Sequence, residues 1–298
     1  MLIEQGRIVE ARIFREGLVR AGTVLAAQLK TIGRNPIALA GGGEYLLPGG
    51  APGVTEGAAF TIEVTREALG GEEPWKRPLA RLSGEVPREA VGLAGQVVSF
   101  PSPDDPLEAA GWPDLLDEAR SGIVTFPGGA LRISLTPAMT LIDVDGQLAP
   151  HELCLAGASA AALVIRRHGI GGSIGIDLPT IRSRDVRLAA AAAVDWALPR
   201  PFERTAVNGF GFLQIVRPRR HASTFELAAD RAAFEARALL RRASRAVGSV
   251  ALVAHPAVIA VLNANPDWLD RLARQVGGAV GLRAAPSLGM EAGDAIRA

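Results

Sequence analysis

Between Thr140 and Leu178 the chain reads strand, helix, strand, and each strand ends in acid: TLIDVDG carries Asp143 and Asp145, and GGSIGIDLP carries Asp177. Around them Leu141, Ile142 and Val144, and Ile174, Ile176 and Leu178, have the look of buried strands. Between them, Glu152–His168 places Leu153, Ala156, Ala160, Leu163, Val164 and Arg167 at helical spacing, closed by Gly169. One intervening helix lets the two strand tips converge. A carboxylate inside such a run is stranded in low dielectric unless something positive meets it. Acids gathered at adjacent strand ends repel one another. A hard divalent cation such as Mg²⁺ removes that penalty and keeps positions open for a phosphate. The expectation is a metal-assisted phosphodiester site on Asp143 and Asp177, with Asp145 beside them.

The flanks set the fold class, α+β. Residues 1–82 read as short strands about ten residues apart (GRIVEARIF, GTVLAAQLK, PIALAG, GEYLLPG, FTIEVTREAL), separated by GGG, PGGAPG and GG. That spacing predicts a small closed barrel. Residues 83–110 hold Pro87, Pro101, Pro103 and Pro106 and read as linker, with one strand at Gly95–Phe100. From Gly111 to the end, strands alternate with helices: a hairpin through Pro127-Gly128-Gly129, the acid strands, a helix over Ser183–Leu198 capped by Ser183, the strand GFGFLQIVR, a helix over Glu226–Val247, SVALVAHP, a helix over Pro256–Val276 and VGLRAAP. This alternation predicts one layered α/β domain over 111–298.

Hydrophobic residues make up 48% of the 298, so a globular chain with a sizeable core is expected. No apolar run approaches the roughly 20 residues that cross a bilayer. No basic segment leads into an apolar stretch near Met1, so export is not expected and a cytoplasmic location is. Cys154 is the only cysteine, which excludes an internal disulfide or a cysteine-pair zinc site within one chain. The net charge of +1 is unevenly spread: residues 161–298 hold 19 Arg against 11 Asp+Glu, whereas residues 1–160 carry the acidic excess. Such an asymmetry suits a half that binds a polyanion.

Other motifs carry less. GGSIG, residues 171–175, matches a nucleophile elbow with Ser173, but here the helix precedes the serine and the strand follows it, the reverse of what that motif needs. The four histidines show no ligand spacing. The cluster Arg237/Arg241/Arg242/Arg245 reads as a solvated helix face. Arg182 and Arg184, and Arg217, Arg219 and Arg220, follow strands expected to end near the aspartates and are the candidates for gripping phosphates. Phe210 and Phe212 alternate on one strand, and an exposed one offers a base a stacking surface.

FPGGALRISLTPAMTLIDVDG resembles the hairpin and first metal-aspartate strand of the ribonuclease E/G family of bacterial endoribonucleases. GIGGSIGIDLP resembles that family's second metal-aspartate strand, and NGFGFLQIVRPR its Phe-Gly strand with trailing arginines. VALVAHPAVIAVLNANPDWLDRLARQVGGAVGLRAAPSL resembles its closing segment, so the likeness runs in order over about Gly111–Leu288. GTVLAAQL and VTEGAAFTIEVTREALGGEEPWKRPLARLSG are similar to its OB-type RNA-binding barrel. The resemblance implies an OB-like barrel, then a DNase I-like/RNase H-like catalytic layer, with Mg²⁺ on Asp143 and Asp177. It implies cleavage of single-stranded RNA, in rRNA or mRNA processing or decay, to 5′-phosphate and 3′-hydroxyl ends.

Several positions depart from the family pattern. Asp145 stands where an asparagine usually orients the first metal aspartate; Cys154, Ala156, Thr180 and Gly209 replace Asn, Glu, an acid and an arginine. The insert that senses a 5′-monophosphate is missing. So is the cysteine pair that shares zinc between subunits, which leaves a homodimer open but no zinc-linked assembly. The alternative implied by these losses is a relative that binds RNA without cutting it.

Overall fold

The computed structural model describes residues 1–69, 76–97 and 105–297. Its front separates into a ribbon and a barrel. Leu2–Glu4 (β1) and Arg7–Glu10 (β2) pair antiparallel about a turn at Gln5-Gly6, where both residues have left-handed φ. Val24–Thr31 (β3), Ile37–Ala40 (β4), Gly43–Leu46 (β5), Ala59–Arg66 (β6) and Leu79–Ser83 (β7) close a barrel in the order β3-β4-β5-β7-β6. The β5–β7 pair is parallel and the other pairs antiparallel, consistent with an OB-like barrel. Alternation fills it: Ala27, Leu29, Ala38, Ala40, Tyr45, Ile62, Val64 and Ala80 point inward.

The expected barrel over 1–82 included the first strand, and the structure corrects this. The β1–β2 ribbon stands outside the barrel and binds the following domain, with the Ile8 and Ala11 amides donating to the carbonyls of Ala110 (3.1 Å) and Arg167 (2.8 Å). Within 83–110, Arg88 bridges back to Val24. Gly95, Gln96 and Val97 form no strand, and the rest of the strand expected at Gly95–Phe100 lies outside the described residues.

Helices Pro106–Ala109 (α1) and Trp112–Ser121 (α2) lead into a six-stranded sheet. In chain order it comprises Ile123–Phe126 (β8), Gly129–Leu135 (β9), Thr140–Gly146 (β10), helix Pro150–Arg167 (α3), Gly172–Asp177 (β11), helix Arg184–Ala197 (α4), Glu203–Arg204 (β12) and Phe212–Arg217 (β13). The spatial order is β12-β13-β11-β10-β9-β8. The expected hairpin through Pro127-Gly128-Gly129 joins β8 to β9. One face is buried: Leu131, Ile142, Val144, Ile174, Ile176, Leu213 and Ile215 are 5% exposed or less. α3 packs closely enough that a side chain at Gly157 would run into Val144. The residues between them (Ile123, Thr125, Arg132, Ser134, Asp143, Asp145, Asp177 and Val216) are exposed.

Instead of one domain over 111–298, the chain forms two compact units. One joins Met1–Gln96 to Leu107–Glu226; the other is built mainly from Leu227 onward. The helix expected over Glu226–Val247 breaks at Asp230 into Thr224–Ala229 (α5) and Arg231–Ala243 (α6), because the Asp230 carboxylate accepts the Ala233 amide (3.2 Å) and caps a new helix. The helix expected over Pro256–Val276 breaks before Pro266 into Pro256–Asn263 (α7) and Pro266–Val276 (α8), as a proline at a helix start dictates. Val250–Ala254 (β14), Val280–Ala284 (β15) and Asp294–Arg297 (β16) form a sheet of order β15-β14-β16 over a core of Leu239, Leu252, Val258, Leu262 and Val276. Among the described residues no helix is long and apolar enough to cross a membrane.

Candidate active site

Register brings the acids together. β10 and β11 pair parallel with Asp143 directly opposite Asp177. Neighbouring strands lie about 4.8 Å apart, and directly paired side chains leave the same face of the sheet. Asp145, two residues beyond Asp143, shares that face. All three aspartates are exposed, whereas Ile142, Val144, Ile174 and Ile176 fill the other face. The expectation of a carboxylate stranded in low dielectric is therefore corrected: the acids stand on an exposed face and their desolvation is only partial. Partial desolvation first, then the charges of Asp145 and Asp177, hold the Asp143 carboxyl above the ordinary aspartate range, against the pull of Arg132 and the Val144 amide.

The pairing continues sideways as one row. Ile123 lies opposite Arg132, Arg132 opposite Asp143, Asp143 opposite Asp177, and Asp177 opposite Phe212. Arg132 Nε lies 3.6 Å from Asp145 Oδ2. Sequence reasoning missed Arg132; alternation in GALRISL marks its face, but its neighbour across the hairpin is a matter of register. Phe212 lies over Gly175, where a Cβ would come within 2.5 Å of the ring and 2.9 Å of Leu141.

A turn and a loop complete this strand end. Asn208 Oδ1 accepts the amides of Phe210 (2.9 Å) and Phe212 (3.0 Å). Thr180 donates its hydroxyl to the Phe210 carbonyl (3.0 Å), and the Leu178 amide donates to the Gly211 carbonyl (3.2 Å). These bonds tie the 208–211 turn to the exit of the Asp177 strand and leave the Phe210 ring 81% exposed. Ser183 caps α4 through the Val186 amide (3.4 Å), and the Arg187 guanidinium clamps the carbonyls of Ile181 (2.7 Å) and Arg182 (2.8 Å). Arg182 and Arg184 leave from this end, exposed and without an acidic partner among the described residues.

Arg217, Arg219 and Arg220 do not join them. β13 runs antiparallel to β11, so Arg217 lies opposite Gly172, five residues from the Asp177–Phe212 pair and about 17 Å along the strand. Arg217 is partly buried; burial lowers its pKa, and it donates to the Ile170 carbonyl (3.1 Å). Arg219 pairs with Glu226, and the Arg220 carbonyl accepts the Glu67 amide from the barrel. The trailing arginines thus lie at the end of β13 away from the acids.

The remaining reactive side chains have structural settings. Ser173 lies inside β11, opposite Val216, with no elbow around it. Cys154 is buried, and burial pushes its thiol pKa up. His255 accepts the Ala257 amide (3.2 Å) at the start of α7. Of the expected solvated face, Arg237, Arg242 and Arg245 are exposed, with Arg237 over the Trp268 ring and Arg242 donating to the Gly293 carbonyl (2.7 Å), whereas Arg241 turns in to pair with the buried Asp105 (2.5 Å).

Among the described residues no three His, Cys, Asp or Glu side chains form a group set to hold a metal ion. Mg²⁺ commonly takes only one or two carboxylates, keeping its waters and adding phosphate oxygens. Asp143 and Asp177 fit that pattern in donor chemistry, while Asp145 is engaged with Arg132. No family model matches the chain, and no curated protein matches it.

Proposed function

We propose that the chain is a Mg²⁺-dependent endoribonuclease of the E/G type, cleaving single-stranded RNA in the cytoplasm during rRNA or mRNA processing or decay. The observation that carries this reading is the in-register pairing of Asp143 with Asp177 on an exposed sheet face. At the same strand end lie two cations without acidic partners, Arg182 and Arg184, and one exposed aromatic, Phe210. The sheet with α3 against its buried face is read as DNase I-like/RNase H-like, and the barrel as the holder of flanking nucleotides.

Asp143 and Asp177 are the residues that would hold the ion; when bound, Mg²⁺ supplies an activated water and stabilises charge growing on the scissile phosphate. The chain's own residues do the positioning. Arg182 and Arg184 grip backbone phosphates, Phe210 stacks on a base, and the Thr180 and Asn208 hydrogen bonds hold the Phe210 backbone at the exit of the Asp177 strand. Products carry 5′-phosphate and 3′-hydroxyl ends.

A second reading, RNA binding without cleavage, draws on the Arg132–Asp145 ion pair, which stands where the E/G pattern has an uncharged asparagine. A fluorogenic single-stranded RNA oligomer with Mg²⁺, then with EDTA, separates the two. Metal-dependent cleavage by the wild type, reduced about 10²–10³-fold in Asp143→Asn with RNA affinity retained, is expected. Cleavage by Asp143→Asn at the wild-type rate overturns the assignment, and binding without turnover in the wild type selects the second reading.

A further inference from the structure

The cross-strand row Ile123–Arg132–Asp143–Asp177–Phe212 contains a cation, Arg132, whose donors make no hydrogen bond among the described residues. Arg132 stands one strand spacing, about 5 Å, from Asp143 on the exposed face. Its side chain is 60% exposed, and among the described residues its one ion pair is with Asp145, at 3.6 Å and beyond hydrogen-bonding distance. The guanidinium therefore carries five donors with no hydrogen bond among the described residues. Ile123, directly across β9, gives its stem an aliphatic neighbour on the same face.

A planar fork of unspent donors beside a carboxylate pair is built for a tetrahedral dianion or diester. We infer that Arg132 is a phosphate anchor of the acid site: it takes a non-bridging oxygen of the RNA strand next to the Asp143–Asp177 pair, and Asp145 is its resting counter-ion. The inference rests on the endoribonuclease reading for the identity of the ligand. It adds a direction: the strand crosses the sheet along the row, with bases over the Phe210–Phe212 side and backbone held at the Arg132 side. It also accounts for Asp145, whose added charge is balanced by a cation one strand away, so the cluster keeps the net charge of two acids.

The test is binding of a fluorescein-labelled single-stranded RNA oligomer by anisotropy, in EDTA, across a range of KCl concentrations. Each phosphate contact on a single strand contributes about 0.7 to the slope of log K against log salt. Arg132→Ala is expected to weaken binding about tenfold and to reduce the slope by about 0.7, and Arg132→Lys to restore the slope but only part of the affinity. Asp145→Asn, which frees the fork, is expected to bind as tightly as wild type or tighter. Because Arg132 is exposed these variants fold, and Arg132→Gln, with similar shape and no charge, must behave like Arg132→Ala. Wild-type affinity and slope in Arg132→Ala overturn the inference while leaving the endoribonuclease reading intact. Failure of the wild type to bind RNA at all removes that reading, and the anchor with it.

Discussion

Gly211 shows how much of the site hangs on single backbone positions. Its φ of +95° lies in the left-handed region, and a Cβ there would run into the Leu178 carbonyl oxygen. Two hydrogen bonds depend on that approach: Leu178 N–H to Gly211 C=O, and Thr180 Oγ to Phe210 C=O. Gly211→Ala is expected to lower stability by about 2–3 kcal/mol in urea unfolding, from backbone strain and displaced contacts together. Gly209→Ala, two residues away, meets nothing within 4 Å and is expected to stay within about 0.5 kcal/mol of wild type. Equal effects at the two positions would disprove the argument. At this scale the sequence is legible where the rule is local. Asp143 and Asp177 are legible as acids closing apolar strand runs, although those runs suggest burial and the structure turns both side chains to the exposed face. Arg132 stays hidden because its neighbours are decided by the hairpin register. Arg217, Arg219 and Arg220 mislead because strand direction, which decides whether a trailing arginine ends at the acids or at the far edge, is set by partners elsewhere in the sheet.

Elements are joined by a buried polar knot. His168, fully buried at the end of α3, shares hydrogen bonds with Glu118 of α2 (2.8 Å) and Thr224 of α5 (2.5 Å), and its ring stacks on Phe225 at 4.4 Å. Arg167 pairs with the same Glu118 (2.5 Å). Burial lowers the His168 pKa below its ordinary value, against the opposing pull of Glu118. The unfolded chain therefore takes up a proton that the folded chain resists. Stability is fully present above the ordinary histidine pKa of about 6.5 and falls as pH drops through it. The melting temperature should decline between about pH 7 and 5. His168→Gln should melt lower at pH 7 and show a shallower decline, since the titrating group is gone. Parallel pH profiles for the two proteins would rule His168 out as the source. The spacing of the four histidines in the sequence gives no sign of this setting. The role as a knot depends on Glu118 and Thr224, each about fifty residues distant in sequence. Helix limits follow the same division: Asp230 and Pro266 interrupt apolar periodicities that read as continuous, because a cap or a proline outweighs the periodic pattern.

Across the whole molecule, a net charge of +1 conceals two differently charged halves. In the barrel three cations are spent internally: Lys30 and Arg77 both engage Glu44, and Arg81 engages Glu63. Lys30, then Arg77, hold the Glu44 carboxyl below its ordinary range, so that acid stays ionised and paired at neutral pH. Arg182 and Arg184, by contrast, have no acidic partner among the described residues and leave from the strand end that bears Asp177. The division into units was not legible because strand–helix alternation runs on past Glu226 with no change in composition, whereas the excess of arginine after residue 160 was. Counter-ion release should then follow the unpaired cations and not the total count. In RNA binding measured against salt, Arg182→Ala/Arg184→Ala is expected to reduce the log–log slope by about 1.4, at about 0.7 per phosphate on a single strand. Lys30→Ala/Arg81→Ala removes as much formal charge but also strips partners from Glu44 and Glu63. It is expected to move the slope by less than about 0.3, because each cation's field is already largely cancelled by its neighbour. The reverse ranking would make the barrel the main electrostatic contact and leave the acid-bearing strand end without its proposed grip on the backbone.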